Sequence, residues 1–240
     1  MRRYTIHGST TICLIACKMK YALVNGVKTT PDKGLKGQCQ LCYAEVVAKC
    51  GDIKVHHWAH KSRIECDKWW ESETPWHRNW KNCFPYEWQE IVHYASNSEK
   101  HIADIKTPHG LVVEFQHSHI SKEERDSREY FYEHMIWIVD GTRRKTDLVR
   151  FNAGTSYFKQ SKMPNVFFVP YPEEVLSKDW LGSKEIVILD FNGESINPSQ
   201  QLFMFWRPKG KPLMQCMSLF KSDLLEWIKS GDLISVLQEF

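Results

Sequence analysis

At 240 residues, with 42% hydrophobic content and ten tryptophans, the chain is long enough for one large domain or two small ones around a packed core. No apolar run is long enough to span a bilayer, and the opening MRRYTIHGST lacks the pattern of a signal peptide, which predicts a cytoplasmic protein. A net charge of +3 excludes any argument for nucleic acid from charge alone, and the basic groups Arg143-Arg144-Lys145 and Arg207 to Lys211 read first as solvated loops.

Residues 1–66 hold short apolar alternations (TICLIAC, YALV), the turn-rich KTTPDKGLKGQ and a dense Cys/His group, the pattern of a small β-rich module. Eight cysteines in a reducing compartment read as metal ligands or core residues rather than disulfides. Cys13 and Cys17 share one face of a strand-like run and fit a core as well as a ligand set, so no metal is assigned to them. In CQLCYAEVVAKCGDIKVHHWAHKSRIEC, the two-residue gap between Cys39 and Cys42 aims both sulfurs at one tetrahedral ion. Either His57 with His60 or His56 with His60 completes a set of two cysteines and two histidines, and Cys66 is a substitute ligand. The set taken forward is Cys39, Cys42, His57 and His60. It would hold a structural Zn2+, because four protein ligands leave no open position for water.

From 67 to 150 the pattern is helix, strand, strand, helix, strand. Thr74 is a natural N-cap, Pro75 a natural first helical residue, and Pro85 stops the helix near Phe84. His77 and Lys81, four apart, share one face, either as site residues or as an exposed polar stripe; Trp76 and Trp80 lie on another face suited to burial. In HIADIKTPHGLVVEFQHS, a hairpin loop of Pro108-His109-Gly110 with left-handed glycine sets Thr107 against Leu111. That register pairs Ile105 with Val113 and Asp104 with Glu114. Ala103, Ile105, Leu111, Val113 and Phe115 then share one face, and Asp104, Lys106, Glu114 and Gln116 the other. Opposed carboxylates about 5 Å apart repel unless a cation intervenes, and Mg2+ suits two hard oxygen ligands plus waters. A plain amphipathic hairpin with a polar outer face explains the same residues, so periodicity leaves both readings open. Ser121 then opens SKEE, a capping-box pattern, with Glu124, Arg128 and Tyr132 along one face, and IWIVD is a buried strand.

Residues 151–240 carry a turn-rich stretch, the strand EIVILDF, a strand pair QLFMFW and PLMQCMSLF around RPKGK, and a last amphipathic helix near SDLLEWIKSGDLISVL. They are expected to pack on or extend the central region.

The CQLC and HHWAH group, followed by ETPWHRNWKNCFP, HIADI, VVEFQHSHIS, SKEERDSREYFYEHM and IWIVD, resembles the competence-protein CoiA-like family over about residues 36–140. The resemblance implies a PD-(D/E)XK nuclease: an α/β fold in which a mixed sheet flanked by helices forms a restriction-endonuclease-like core, here over 67–150, behind the zinc module. It implies phosphodiester hydrolysis in DNA, with Asp104 and Glu114 holding Mg2+ or Mn2+ and Gln116 standing where many members have lysine. Glutamine there can orient water or a phosphate oxygen but supplies no charge, which leaves a larger share to the metal and to Lys81. By the same resemblance Glu73, His77 and Lys81 lie near the active centre. The implied partner is DNA, with a further protein of DNA uptake, recombination or phage defence. The contrasting expectation is a non-catalytic zinc-containing module on a nuclease fold that lost its chemistry.

Overall fold

The computed structural model describes residues 18–62, 66–69, 71, 73–193 and 200–238, and divides into two compact units, residues 1–70 and 71–240. Cys13, Cys17 and the strand expected at TICLIAC lie outside the described residues.

The first unit is a sheet of six short strands: β1 (Lys18–Met19), β2 (Ala22–Val24), β3 (Val27–Thr29), β4 (Lys36–Gln38), β5 (Glu45–Lys49) and β6 (His57–His60). Their order is β1-β6-β5-β4-β2-β3 and every pair is antiparallel. Asn25 and Gly26 both take positive φ, the two-residue turn whose twist matches its flanking strands, and Val24 accordingly faces Val27. The core is small: Ala22, Leu41, Val46 and a fully buried Trp58, whose Nε1 donates to the Thr29 carbonyl at 2.9 Å.

The second unit runs α1 (Pro75–Lys81), β7 (Gln89–Tyr94), β8 (Lys100–Lys106), β9 (Val112–Gln116), α2 (Lys122–Tyr132), β10 (Met135–Asp140), α3 (Lys145–Gly154), β11 (Lys159–Gln160), β12 (Val166–Val169), β13 (Ile186–Asp190), β14 (Gln201–Trp206), β15 (Met214–Phe220), α4 (Lys221–Ser230) and α5 (Leu233–Gln238). Nine strands form one sheet, ordered β11-β12-β15-β14-β13-β10-β9-β8-β7. β10 pairs parallel with β9 on one side and with β13 on the other. Parallel strands inside a sheet are covered on both faces, and accordingly every residue of β10 and β13 is buried. The C-terminal strands therefore extend the sheet that carries the central hairpin. The core joins Trp76, Trp80 and Phe84 to Ile105, Val113 and Phe115, to Ile136, Ile138 and Ile188 of the parallel strands, and to Leu224 and Ile228 of α4.

The central hairpin has the expected register. Ile105 faces Val113, the Thr107 N–H donates to the Leu111 carbonyl at 2.9 Å, and Gly110 sits at φ +88°. Ala103, Ile105, Leu111, Val113 and Phe115 are all buried, as their common face requires. Among the features that differ from the sequence reading are three. β7 precedes the hairpin as a third strand. Residues 145–154, read as part of a loop and a turn-rich stretch, form α3, which begins without a side-chain cap that would have marked it. The last helix is two, because Gly231 at φ +88° caps α4 and turns the chain before α5 begins.

Candidate metal centre and acid centre

Cys39, Cys42, His60 and Cys66 place one ligand atom each within 4.8 Å of the others. The Cys39 and Cys66 sulfurs are 3.8 Å apart, and Cys42 Sγ lies 3.2 Å from His60 Nε2. A tetrahedral ion with Zn–S bonds of about 2.3 Å separates its sulfurs by about 3.8 Å, so this soft set of three thiol sulfurs and one imidazole nitrogen fits zinc. The turn that presents the first two cysteines is tied by Cys39 N–H to the Ala44 carbonyl and by Tyr43 N–H to the Cys39 carbonyl. The Leu41 N–H also points at Cys39 Sγ at 3.4 Å. The hydrogen bond shared with Cys66 pulls the Cys39 thiol down to about 5, against burial, which raises it. His60 Nδ1 is buried without a hydrogen-bond partner among the described residues, whereas a ligating histidine ordinarily donates that N–H to a carbonyl, a carboxylate or water.

The fourth ligand corrects the sequence reading: Cys66 belongs to the set and His57 does not. On β6 side chains alternate, so residues 57 and 60, an odd number apart, point to opposite faces. His57 Nδ1 instead meets the Val55 carbonyl at 2.8 Å.

The acid centre is built where the β7-β8-β9 ladder opens. Gln89 pairs with Ile105 and Ile91 with Ala103, which skips Glu90 and Asp104, and Glu90 is buried with φ at +46°. A left-handed non-glycine residue costs of order 1 kcal/mol or more, so surrounding contacts must hold it. On the other side, regular pairing with β9 stops at Ile105 and Val113. One step further, side chains take over from the ladder. The Asp104 N–H donates to Glu114 Oε1 at 3.1 Å, and the Phe115 N–H donates to Asp104 Oδ2 at 3.0 Å.

Lys81, four residues past His77 on α1, meets three carboxylates there: Asp104 Oδ1 at 2.8 Å, Glu90 Oε1 at 3.0 Å and Glu73 Oε1 at 3.6 Å. Burial would drive the proton off this ammonium, but Asp104, Glu90 and Glu73 together hold its pKa well above the ordinary 10.5. Conversely, burial raises the Asp104 carboxyl while Lys81 and His77 lower it more. Lys81 is therefore a fixed positive charge and not a base. Glu114 is paired to Arg128 of α2 at 3.2 Å, and Arg128 also binds Glu124. The Ser121 hydroxyl caps α2 by accepting from the Glu124 N–H at 3.1 Å, and the carboxylate of Glu124 meets Arg128.

Gln116 is buried; its Nε2 donates to the Ser118 carbonyl at 3.3 Å, while its Oε1 has no partner among the described residues. Glu73 lies just outside α1, whose cap is Thr74, and binds Arg78 and Lys81. His77, expected to contact phosphate, has both ring nitrogens engaged: Nδ1 at Thr74 Oγ1, 2.9 Å, and Nε2 at the Phe115 carbonyl, 3.1 Å. It braces β9 instead. Trp76 and Trp80 of α1 both donate to Asp190 Oδ2, at 3.0 and 2.9 Å, which fixes the helix that carries Lys81.

The sequence reading missed Glu90, whose backbone breaks the alternation that reveals a strand, and Glu71, which carries no local signal. Glu71 accepts from the His117 N–H at 3.4 Å and from Ser118 N–H, and lies 3.7 Å from His77 Nε2. It also missed a pair at the ends of β9 and β10, His117 Nδ1 with Asp140 Oδ2 at 2.7 Å.

Residues 33–68 match the family model of the competence protein CoiA, N-terminal domain. That segment is CoiA-like. No curated protein and no solved structure matches the chain. The CoiA-like segment begins before Cys39 and ends after Cys66, so all four candidate zinc ligands lie inside it. The acid centre lies beyond it. No helix among the described residues is long and apolar enough to cross a membrane.

Proposed function

We propose that this CoiA-like chain is a divalent-metal-dependent nuclease of the PD-(D/E)XK type that hydrolyses phosphodiester bonds in DNA, in a competence-related role. The observation that carries the reading is the Lys81 ammonium held 2.8 Å from Asp104, beside Glu114 on the adjoining strand. It supplies from α1 the positive charge that Gln116 cannot supply from β9. The helix, three strands, helix and strand around Asp104 and Glu114 fit the mixed sheet flanked by helices expected of such a nuclease.

The donor set around Asp104 and Glu114 is all oxygen, and Gln116 Oε1 is buried beside them without a partner, so these residues fit Mg2+ or Mn2+. Asp104 and Glu114 would hold the ion, which supplies a water of lowered pKa and draws charge from the phosphoryl oxygens. Lys81 keeps its proton and stabilises the negative charge that develops at phosphorus. Gln116 Oε1 accepts from the attacking water and orients it. Glu90 and Glu73 keep Lys81 in place, and the CoiA-like module, folded on zinc, presents the nucleic acid.

The test is cleavage of labelled DNA by the purified protein with Mg2+ or Mn2+. Asp104→Asn and Glu114→Ala should abolish it without unfolding the chain; activity equal to the parent would refute the assignment. A second reading, a non-catalytic module that binds nucleic acid or a partner protein, is favoured by one observation. All four carboxylate oxygens of Asp104 and Glu114 already have protein partners: Lys81, Phe115 N–H, Asp104 N–H and Arg128. Calorimetry separates the two: Mn2+ binding distinct from zinc and lost in Asp104→Asn belongs to the nuclease alone.

A further inference from the structure

We propose that His117, oriented by Asp140, is the general acid that protonates the leaving oxygen when the phosphodiester is cut, an assignment that rests on the nuclease reading above. β9 and β10 are parallel neighbours with Gln116 abreast of Val139, so His117 and Asp140 are the next residue of each, at the carboxyl ends of the two strands. Ligands of open sheets gather at that end.

The pair has the build of a proton donor. Asp140 is buried, and the Thr142 N–H and hydroxyl hold its Oδ1 at 2.8 and 2.6 Å. Its Oδ2 is left to accept from His117 Nδ1 at 2.7 Å, which fixes the tautomer and leaves Nε2 to carry the exchangeable proton. The His117 side chain is 34% exposed, so Nε2 can meet a ligand. Glu71 fixes the main chain by accepting from the N–H groups of His117 and Ser118. The hydrogen bond to Asp140 raises the His117 pKa above the ordinary 6.5; burial and Arg143 oppose it, while the charges of Asp140 and Glu71 reinforce it. The imidazole also lies 6.0 Å, centroid to centroid, from that of His77. Through His77, His117 thus meets the same helix, α1, that carries Lys81 to Asp104.

The step balances without any further reagent. A water oxygen bonds phosphorus and its proton passes to solvent. The bond from phosphorus to the leaving oxygen breaks, the electron pair stays on that oxygen, and the proton of His117 Nε2 moves to it. Solvent then reprotonates His117, and Asp140 stays ionised throughout.

The alternative is that Asp140 merely ties two strand ends together. Oligonucleotides with sulfur in place of the 3′ or the 5′ bridging oxygen decide, because a thiolate leaves without a proton. His117→Ala, and His117→Gln, which keeps a donor toward Asp140, should cut ordinary DNA about 10²- to 10⁴-fold more slowly. The same variants should recover most of that loss on one of the two sulfur substrates. Asp140→Asn should show the same pattern more weakly and lower the midpoint of the His117 titration followed by NMR. Equal losses on oxygen and sulfur substrates, or no loss at all, would overturn the assignment while the nuclease reading stands. A parent protein inactive on every substrate would remove both.

Discussion

Cys39, Cys42, His60 and Cys66 form a group of thiols and one imidazole, whereas Asp104, Glu114 and Glu90 are met by the ammonium of Lys81 and the guanidinium of Arg128. Both regions gather ligands that repel one another once ionised. The first gathers no cation among the described residues, so a metal would complete it; the second is already balanced by protein charges. A metal in the first would therefore be part of the fold, and a metal in the second would have to share its ligands with Lys81 and Arg128. The same contrast appears in packing. The first unit rests on a few buried residues such as Trp58 and Val46, while the acid centre is set into a nine-stranded sheet with a continuous core.

The largest effect that would break this comparison is in the first unit. Zinc bound to a small module contributes about 10–16 kcal/mol at neutral pH, more than most domains' whole stability. Cys66→Ser should lose the metal, measured as zinc per chain by mass spectrometry, and with it the protease resistance of residues 18–69. His57→Ala should keep both. A His57→Ala protein without zinc, or a Cys66→Ser protein that retains it, would restore the set of two cysteines and two histidines.

How much of this was written in the sequence depends on how local the cause is. The hairpin register follows from Gly110 and the alternation around it, and Thr74-Pro75 marks the start of α1 at the observed residue. What escaped is longer in range or breaks a local rule. Glu90 departs from the strand geometry that would have exposed β7, and it does so where three carboxylates converge on Lys81. The tight group HHWAH favoured a second histidine over Cys66, yet strand alternation sends His57 and His60 apart. His117 and Asp140 are 23 positions apart and meet only because β9 and β10 run parallel and adjacent, a pairing no local pattern specifies.

A smaller effect tests whether the acid centre is balanced from within. Lys81→Met removes the cation and leaves Asp104, Glu90 and Glu73 facing one another; removing one partner of a buried pair typically costs about 3–5 kcal/mol. The denaturant midpoint of the second unit should drop accordingly while the zinc content stays unchanged. Added Mg2+ or Mn2+ should restore part of the loss, because the freed carboxylates then have a cation to hold. An unchanged midpoint would mean that Lys81 carries little of the balance.

The smallest effect is in the acid limb of stability. Glu71 is partly buried and Asp140 buried, which raises their carboxyl pKa values, but His77 and Ser118 for Glu71, and His117 and Thr142 for Asp140, lower them further, below the ordinary 4.5 and 3.8. Groups with depressed folded-state pKa values stabilise the fold above their unfolded values and stop doing so as the pH falls through the folded ones. In metal-free buffer these two groups should leave the midpoint level down to about pH 4.5 and make it fall below that. Glu71→Gln should lower the plateau and flatten the fall, because the amide has no proton to gain. The thiols respond differently: protons compete with zinc for the thiolates, so the first unit's loss of structure should begin at a higher pH than that of the second. Two transitions on acidification, the zinc unit first, would sharpen the contrast between a region completed from outside and one balanced from within; a single transition flattened by Glu71→Gln would erase it.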